Sequence, residues 1–328
     1  MRKMKALLVT TIAAACLAQP PNIPDPYEPG VQNWAKLPEG RTWGAASAIS
    51  IDSHQNIWVL ERCGGNTCAG KTEDPILEFD PSGKFVKSFG SGMFVFPHGI
   101  FVDSQDHVWA TDADAKDGKG NQVFEFSPEG RVLLQLGKPG VAGDTEDTFN
   151  RPSGVVVAPN GEVFVSDGHG GDSNARIVKF SKDGKFLRAW GSRGNGPGQF
   201  GGLHAISLDS KGRVFVADRE NNRIEIFDGN GMFLAEWAQF SKPSGIYIDR
   251  NDTIYVADDT STARTRPEWP RGVRIGSARD GKLTAFIPDP DQDPKHAGTG
   301  PESVVADRNG NVYSAEVGRK MVIRYSKQ

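Results

Sequence analysis

The sequence predicts an all-β chain folded as a single six-bladed β-propeller. Three observations predict it. A template of two short apolar strands around a tight turn recurs six times. Its period, about 40–60 residues, is the range expected of propeller blades. Apolar and polar residues alternate within each copy, and no long helical periodicity occurs.

The first copy runs from Ser47 to Asp52 and from Ile57 to Glu61. The second runs from His98 to Asp103 and from Val108 to Asp112. The third runs from Ser153 to Val157 and from Val163 to Asp167. The fourth runs from His204 to Asp209 and from Arg213 to Asp218. The fifth runs from Ser244 to Asp249 and from Ile254 to Asp258. The sixth runs from Glu302 to Asp307 and from Val312 to Glu316. Pairs such as Asn160-Gly161, Lys211-Gly212 and Asn309-Gly310 supply turns, because these residues tolerate positive φ.

A second hairpin follows in most copies. It is read at Gln122–Phe126 with Arg131–Leu136, at Arg176–Phe180 with Phe186–Trp190, and at Arg223–Phe227 with Phe233–Trp237. Each unit then holds four strands, and six such units close into a ring. The final strand, Val322–Tyr325, completes the last unit. Two segments interrupt the pattern. Thr260 to Arg274 is basic and contains Trp269, and Asp289 to Lys295 is an acidic, proline-containing loop.

A chain of 328 residues could hold two average domains, but the repeats run nearly end to end. One domain over residues 41–328 is expected. The net charge of −3 and the lack of a basic run exclude a nucleic-acid surface. Residues 1–18 read as an export signal: a basic start at Arg2, Lys3 and Lys5, a short apolar core, and small residues for cleavage. That core is too short to span a membrane. Cys16 offers lipid attachment as the alternative to a soluble exported form. Residues 19–40 read as a proline-rich lead-in, extended and poorly ordered. Cys63 and Cys68 suit a small disulfide in an oxidising compartment, with two free thiols as the alternative.

Equivalent positions of a propeller's repeats share one height around the axis. The slot that opens each template holds Ser47, His98, Ser153, His204, Ser244 and Glu302. The residues able to bind a metal fall in copies two, four and six. Alternate blades of such a ring stand about 120° apart, so three of these side chains could surround one ion. Two imidazoles and a carboxylate suit zinc or iron(II), with a coordination position left for substrate. The slot after each closing acid holds Arg62, Ala113, Gly168, Arg219, Asp259 and Val317. The acids recur in all six copies and read as structural. Arginine occurs twice, at Arg62 and Arg219, and near a metal it suits an anionic substrate. For Arg62 an ion pair with the neighbouring acid is the competing reading. His169 lies in the same region of copy three and is a candidate general base or a plain loop residue.

The run SNARIVKFSKDGKFLRAWG, followed by PGQF, HAISL and VADRENNRI, lies between Ser173 and Ile224. It resembles the peptidyl-α-hydroxyglycine α-amidating lyases. Phe96–Ile100 and Val163–Gly168 resemble further motifs of that family, and the chain is more loosely similar to NHL-repeat propellers. The resemblance implies a six-bladed propeller with an axial zinc on three histidines. It implies cleavage of a peptidyl α-hydroxyglycine to a peptide amide and glyoxylate, with a tyrosine base and arginines around the anionic end. By motif match, His98 and His204 correspond to two zinc ligands, and Arg62 and Arg219 to the arginines. The third ligand position reads Pro301-Glu302-Ser303, preceded by Gly300 where the family has methionine. His169 replaces the tyrosine. Ser303 replaces the acidic ligand of the family's calcium, which weighs against calcium here.

The expectation is therefore a metal-dependent lyase on a small carbinolamide-like or carboxylate-bearing substrate. His98, His204 and Glu302 would hold zinc or iron(II), with Arg62, Arg219 and His169 around the reacting group. A non-catalytic binding propeller and a metal-dependent hydrolase or lactonase are the alternatives. The partner expected is a small or peptide-derived molecule, and the exported chain is expected to be a monomer.

Overall fold

The computed structural model describes residues 23–261 and 269–328. The export signal and part of the basic segment after Thr260 lie outside the described residues. Blade one comprises β1 (Ala46–Ile51), β2 (Ile57–Glu61), β3 (Ile76–Phe79) and β4 (Phe85–Phe89). Blade two comprises β5 (Pro97–Val102), β6 (Val108–Lys116), β7 (Lys119–Phe126) and β8 (Val132–Leu136). Blade three comprises β9 (Pro152–Val157), β10 (Val163–Asp167), β11 (Arg176–Phe180) and β12 (Phe186–Trp190). A short parallel pair, β13 (Ser192–Arg193) and β14 (Gln199–Phe200), precedes blade four. Blade four comprises β15 (Leu203–Leu208), β16 (Val214–Asp218), β17 (Arg223–Phe227) and β18 (Phe233–Trp237). Blade five comprises β19 (Gly245–Ile248), β20 (Thr253–Asp258), β21 (Gly272–Ser277) and β22 (Leu283–Pro288). Blade six comprises β23 (Pro301–Ala306), β24 (Val312–Glu316) and β25 (Met321–Tyr325).

Each blade is an antiparallel meander, with its first strand innermost. The first strands neighbour one another in a ring, from β1 through β5, β9, β15, β19 and β23 back to β1. The apolar residues of the middle strands fill the spaces between blades. Val59, Leu77, Val305 and Ala315, for example, share one cluster across blades one and six. The outermost strands bury little, and Val86, Leu133, Leu187 and Leu234 are exposed on them. Glycine after the slot residue lets first strands approach closely. A Cβ on Gly99 would lie 2.6 Å from the Ser153 carbonyl, and one on Gly245 would lie 2.7 Å from the Ser303 Cα.

Blade six obtains its fourth edge from the start of the described chain. Val31 bridges Arg324 and Tyr27 bridges Lys327, both antiparallel. Tyr27 joins the apolar cluster of blades five and six. Trp34 lies edge-on to Tyr313, 4.9 Å between ring centroids, and the Lys36 amide donates to the Gly83 carbonyl at 2.8 Å. This corrects the expected boundary after residue 40. The described part of the lead-in is ordered against blades six and one, because its few aromatics are worth more buried than exposed. The loop from Asp289 also differs from expectation in holding a single 3₁₀ turn at Pro294–His296.

The six closing acids, Glu61, Asp112, Asp167, Asp218, Asp258 and Glu316, are all fully buried. Most cap backbone amides: Asp112 accepts from Val95 and Phe96, Asp167 from Asn150, and Glu61 from Gly44 and Gly64. Burial pushes Asp112 up to about 7, Asp167 up to about 6 and Glu316 up to about 7. A raised acid makes the folded chain bind more protons than the unfolded one between its ordinary and raised values. The stability it gives is complete at low pH and lost as pH rises through the raised value. The buried imidazoles described below act in the opposite sense, but only below about pH 6.5. Between about pH 6.5 and 8, the urea midpoint of metal-free protein is therefore expected to fall with rising pH. Asp112→Asn is expected to flatten that fall. A midpoint that rises across the interval would count against protonated closing acids.

Candidate functional site

All six residues of the opening slot are buried. They line an axial cavity of about 360 Å³ that runs along the first strands. His98 and His204 meet across the axis with ring centroids 4.7 Å apart. Each is fixed by the next blade. His98 Nδ1–H donates to the Ser153 carbonyl and His204 Nδ1–H to the Ser244 carbonyl, both at 2.7 Å. A carbonyl can only accept, so the proton sits on Nδ1 and the Nε2 lone pair points inward. Glu302 Oε1 lies 3.2 Å from His204 Nε2. That contact is not aligned as a hydrogen bond, and His204 Nε2 is a buried atom without a partner.

His169 arrives from a different route. It follows Gly168, whose φ of +137° and close contact with the Asn174 carbonyl leave no room for a Cβ. Asn174 Nδ2 donates to Asp167 Oδ2 at 2.7 Å, and Ser173 Oγ donates to the Gly170 carbonyl at 2.7 Å. The polar loop is thereby stapled to the closing acid of its own blade. The His169 ring stands 4.3 Å from that of His98 and 5.0 Å from that of His204. One ligand nitrogen from each of the three imidazoles falls within 4.8 Å of the others. The Nε2 atoms of all three are buried without a hydrogen-bond partner.

Burial lowers the pKa of each imidazole. It carries His98 and His169 well below the usual histidine value. For His204 burial, followed by the Arg219 guanidinium, lowers it to about 3. The cluster is uncharged at neutral pH and offers lone pairs, which is the protonation state a metal ion requires.

The two arginines reach the same place by different means. Arg62 is buried and its guanidinium lies 3.8 Å over the Phe96 ring. It donates to the Pro97 carbonyl at 3.3 Å and to Asn66 Oδ1 at 2.8 Å. Asn66 belongs to the short loop closed by a Cys63–Cys68 disulfide. Burial lowers Arg62 to about 10, and Glu302 partly offsets this. The neighbouring acid Glu61 pairs with Arg41 instead, at 2.9 Å. Arg219 begins a 3₁₀ turn, Arg219–Asn221, after blade four's closing acid. Its side chain is largely buried and contacts Glu220 at 3.3 Å.

Of the expected ligands His98, His204 and Glu302, the structure gathers the two imidazoles with His169, a candidate base or loop residue in the sequence, and leaves Glu302 outside that group. Asp259 was read in the second slot without a role. It is buried, accepts from Ser244 Oγ and shares a hydrogen bond with Glu302. Burial, then the Glu302 carboxylate, pushes it up to about 8. The signal that could have found it is a carboxylate in a slot that otherwise holds small or basic residues. A second group, Asp103, His107 and Glu125, also brings possible ligands together. His107 Nδ1 bonds Glu125 at 2.8 Å, and blade one ties Asn56 to Glu78 in the same way at 2.7 Å. That group reads as a cross-strand tie.

Fold and site together define an NHL-type six-bladed propeller with a buried polar cluster on its axis. A six-bladed β-propeller family, DUF5128, matches residues 150–240. NHL repeat-containing protein 3 of Homo sapiens is 31% identical over 302 residues, covering 89% of this chain and 82% of that protein. The chain belongs to the NHL-repeat protein family. Peptidyl-glycine alpha-amidating monooxygenase of Mus musculus is 34% identical over 233 residues, which cover 62% of this chain. The chain spans 23% of the length of that relative. Peptidyl-alpha-hydroxyglycine alpha-amidating lyase 1 of Drosophila melanogaster is 32% identical over 225 residues, covering 59% of this chain and 40% of that protein.

Proposed function

We propose that this chain is a metal-dependent lyase, cleaving a small carbinolamide-like or carboxylate-bearing substrate at the propeller axis. The observation that carries the reading is the buried set of imidazoles with no partner for Nε2. Buried polar atoms are rarely left unsatisfied, and three converging ones call for a shared partner. The donor set fits zinc or iron(II). A bound divalent ion supplies Lewis acidity toward a substrate oxygen. His98 and His204 would hold it, each aimed by a carbonyl of the following blade.

The chain's other residues bind and orient. Arg62 and Arg219 lie close enough to the imidazoles to depress their pKa. Their guanidinium groups suit an anionic substrate end. Burial excludes water there, so a hemiaminal carbon is shielded from competing reactions. Likeness to proteins named amidating lyases supports the reaction class. The disulfide supports an exported protein, since such bonds persist in oxidising compartments. No helix among the described residues is long and apolar enough to cross a membrane.

The test is glyoxylate release from an N-acyl α-hydroxyglycine by zinc- or iron-loaded protein. Arg219→Ala is expected to lower kcat/KM about 100-fold, the worth of one hydrogen bond to a charged group. Loaded protein that releases no glyoxylate would sink the lyase reading. It would favour a binding propeller, to which the likeness to NHL repeat-containing protein 3 also points.

A further inference from the structure

We propose that His169 is a metal ligand, completing with His98 and His204 a centre of three imidazoles. The proposal rests on the reading that the axial cluster binds metal.

His169 stands outside the slot that repeats around the ring, yet its imidazole is as close to His98 as His204 is. A solvent-facing base has no need of such company. Its Nε2 shares the property of the other two, buried and without a partner. The loop that carries it is fixed at both ends, by Gly168 against the Asn174 carbonyl and by Asn174 against Asp167. Glu302 Oε1 lies 3.2 Å from His204 Nε2, and the carboxyl shares a hydrogen bond with Asp259, so it stands beside the three imidazoles rather than among them.

Three imidazoles leave a coordination position open for substrate, which is the pattern of catalytic rather than structural centres.

Cobalt(II) alone, added to metal-free protein, tests this without any assay of turnover. The wild type is expected to bind one cobalt. X-ray absorption is expected to count three imidazoles, and two in His169→Ala. Both His169→Ala and His169→Gln should bind cobalt at least ~10-fold more weakly. The Gln variant keeps the loop filled and guards against a collapsed backbone. Wild-type affinity and spectrum in both variants would place His169 outside the coordination sphere and overturn the ligand set, while leaving a metal site intact. No cobalt in the wild type would overturn this inference together with the metal reading beneath it.

Discussion

Replacing His204 by alanine is expected to abolish the proposed axial metal binding and leave the propeller folded. His204 is 3% exposed, and its ring touches His98, His169 and Glu302. The ring supplies one of the inward lone pairs, so its loss should weaken metal binding by more than about 100-fold, beyond the usual effect of an outer-shell change. The cost to the fold is smaller. The Ser244 carbonyl loses its donor, and an unsatisfied buried carbonyl costs about 1–3 kcal/mol. No strand pairing changes, and blades are stabilised mainly by their own sheets and immediate neighbours. Elemental analysis after dialysis and a thermal melt by circular dichroism check the two halves. A full complement of ion in the variant would move the metal elsewhere. A variant that fails to fold would make the cluster a structural centre.

Arg223→Ala is expected to be the most destabilising single change away from the axis. Arg223 is nearly buried and pairs with Asp218 at 2.9 Å, Glu225 at 2.8 Å and Glu236 at 2.7 Å. It also donates to the carbonyls of Asn195, Gly196 and Gln199. Asp218 and Glu225 are fully buried, so the variant leaves two carboxylates without their cation. Breaking a buried pair from one side costs roughly 3–5 kcal/mol. A loss of this size lowers the melting temperature of a large domain by roughly 10 °C. Arg219 follows Asp218 directly, so activity should fall as well. A loss below about 1 kcal/mol would mean that water replaces the guanidinium.

The blades were legible in sequence because their signal is local. Alternation and turn residues mark β10, β11, β12, β16, β17 and β18 almost to the residue. The opening slot was legible because repetition turns sequence position into position around an axis. That logic placed His98 and His204 together on the axis without any knowledge of packing. It could not find His169's place beside them, nor that Glu302 stands outside the imidazole group. His169 sits in a glycine-rich loop whose path depends on Asn174, Asp167 and Asn150, not on the repeat period. Asp259 was hidden for a related reason: its partner Glu302 belongs to the next blade. The fourth edge of blade six was illegible because Tyr27 and Val31 sit among prolines and make isolated bridges with no alternation.

That last edge bears on how the chain comes to be folded. Tyr27 and Lys327 are joined across nearly the whole length of the polypeptide. Closing a loop of this size costs about 5 kcal/mol of chain entropy, and it can be recovered only when both ends are present. Until residues 321–327 have been synthesised, the blades have no strand on which Tyr27 and Val31 can close the ring. An open arc leaves unpaired strand edges, which invite association with other chains. The segment from Tyr27 to Lys36 is thus the clasp that shuts the ring.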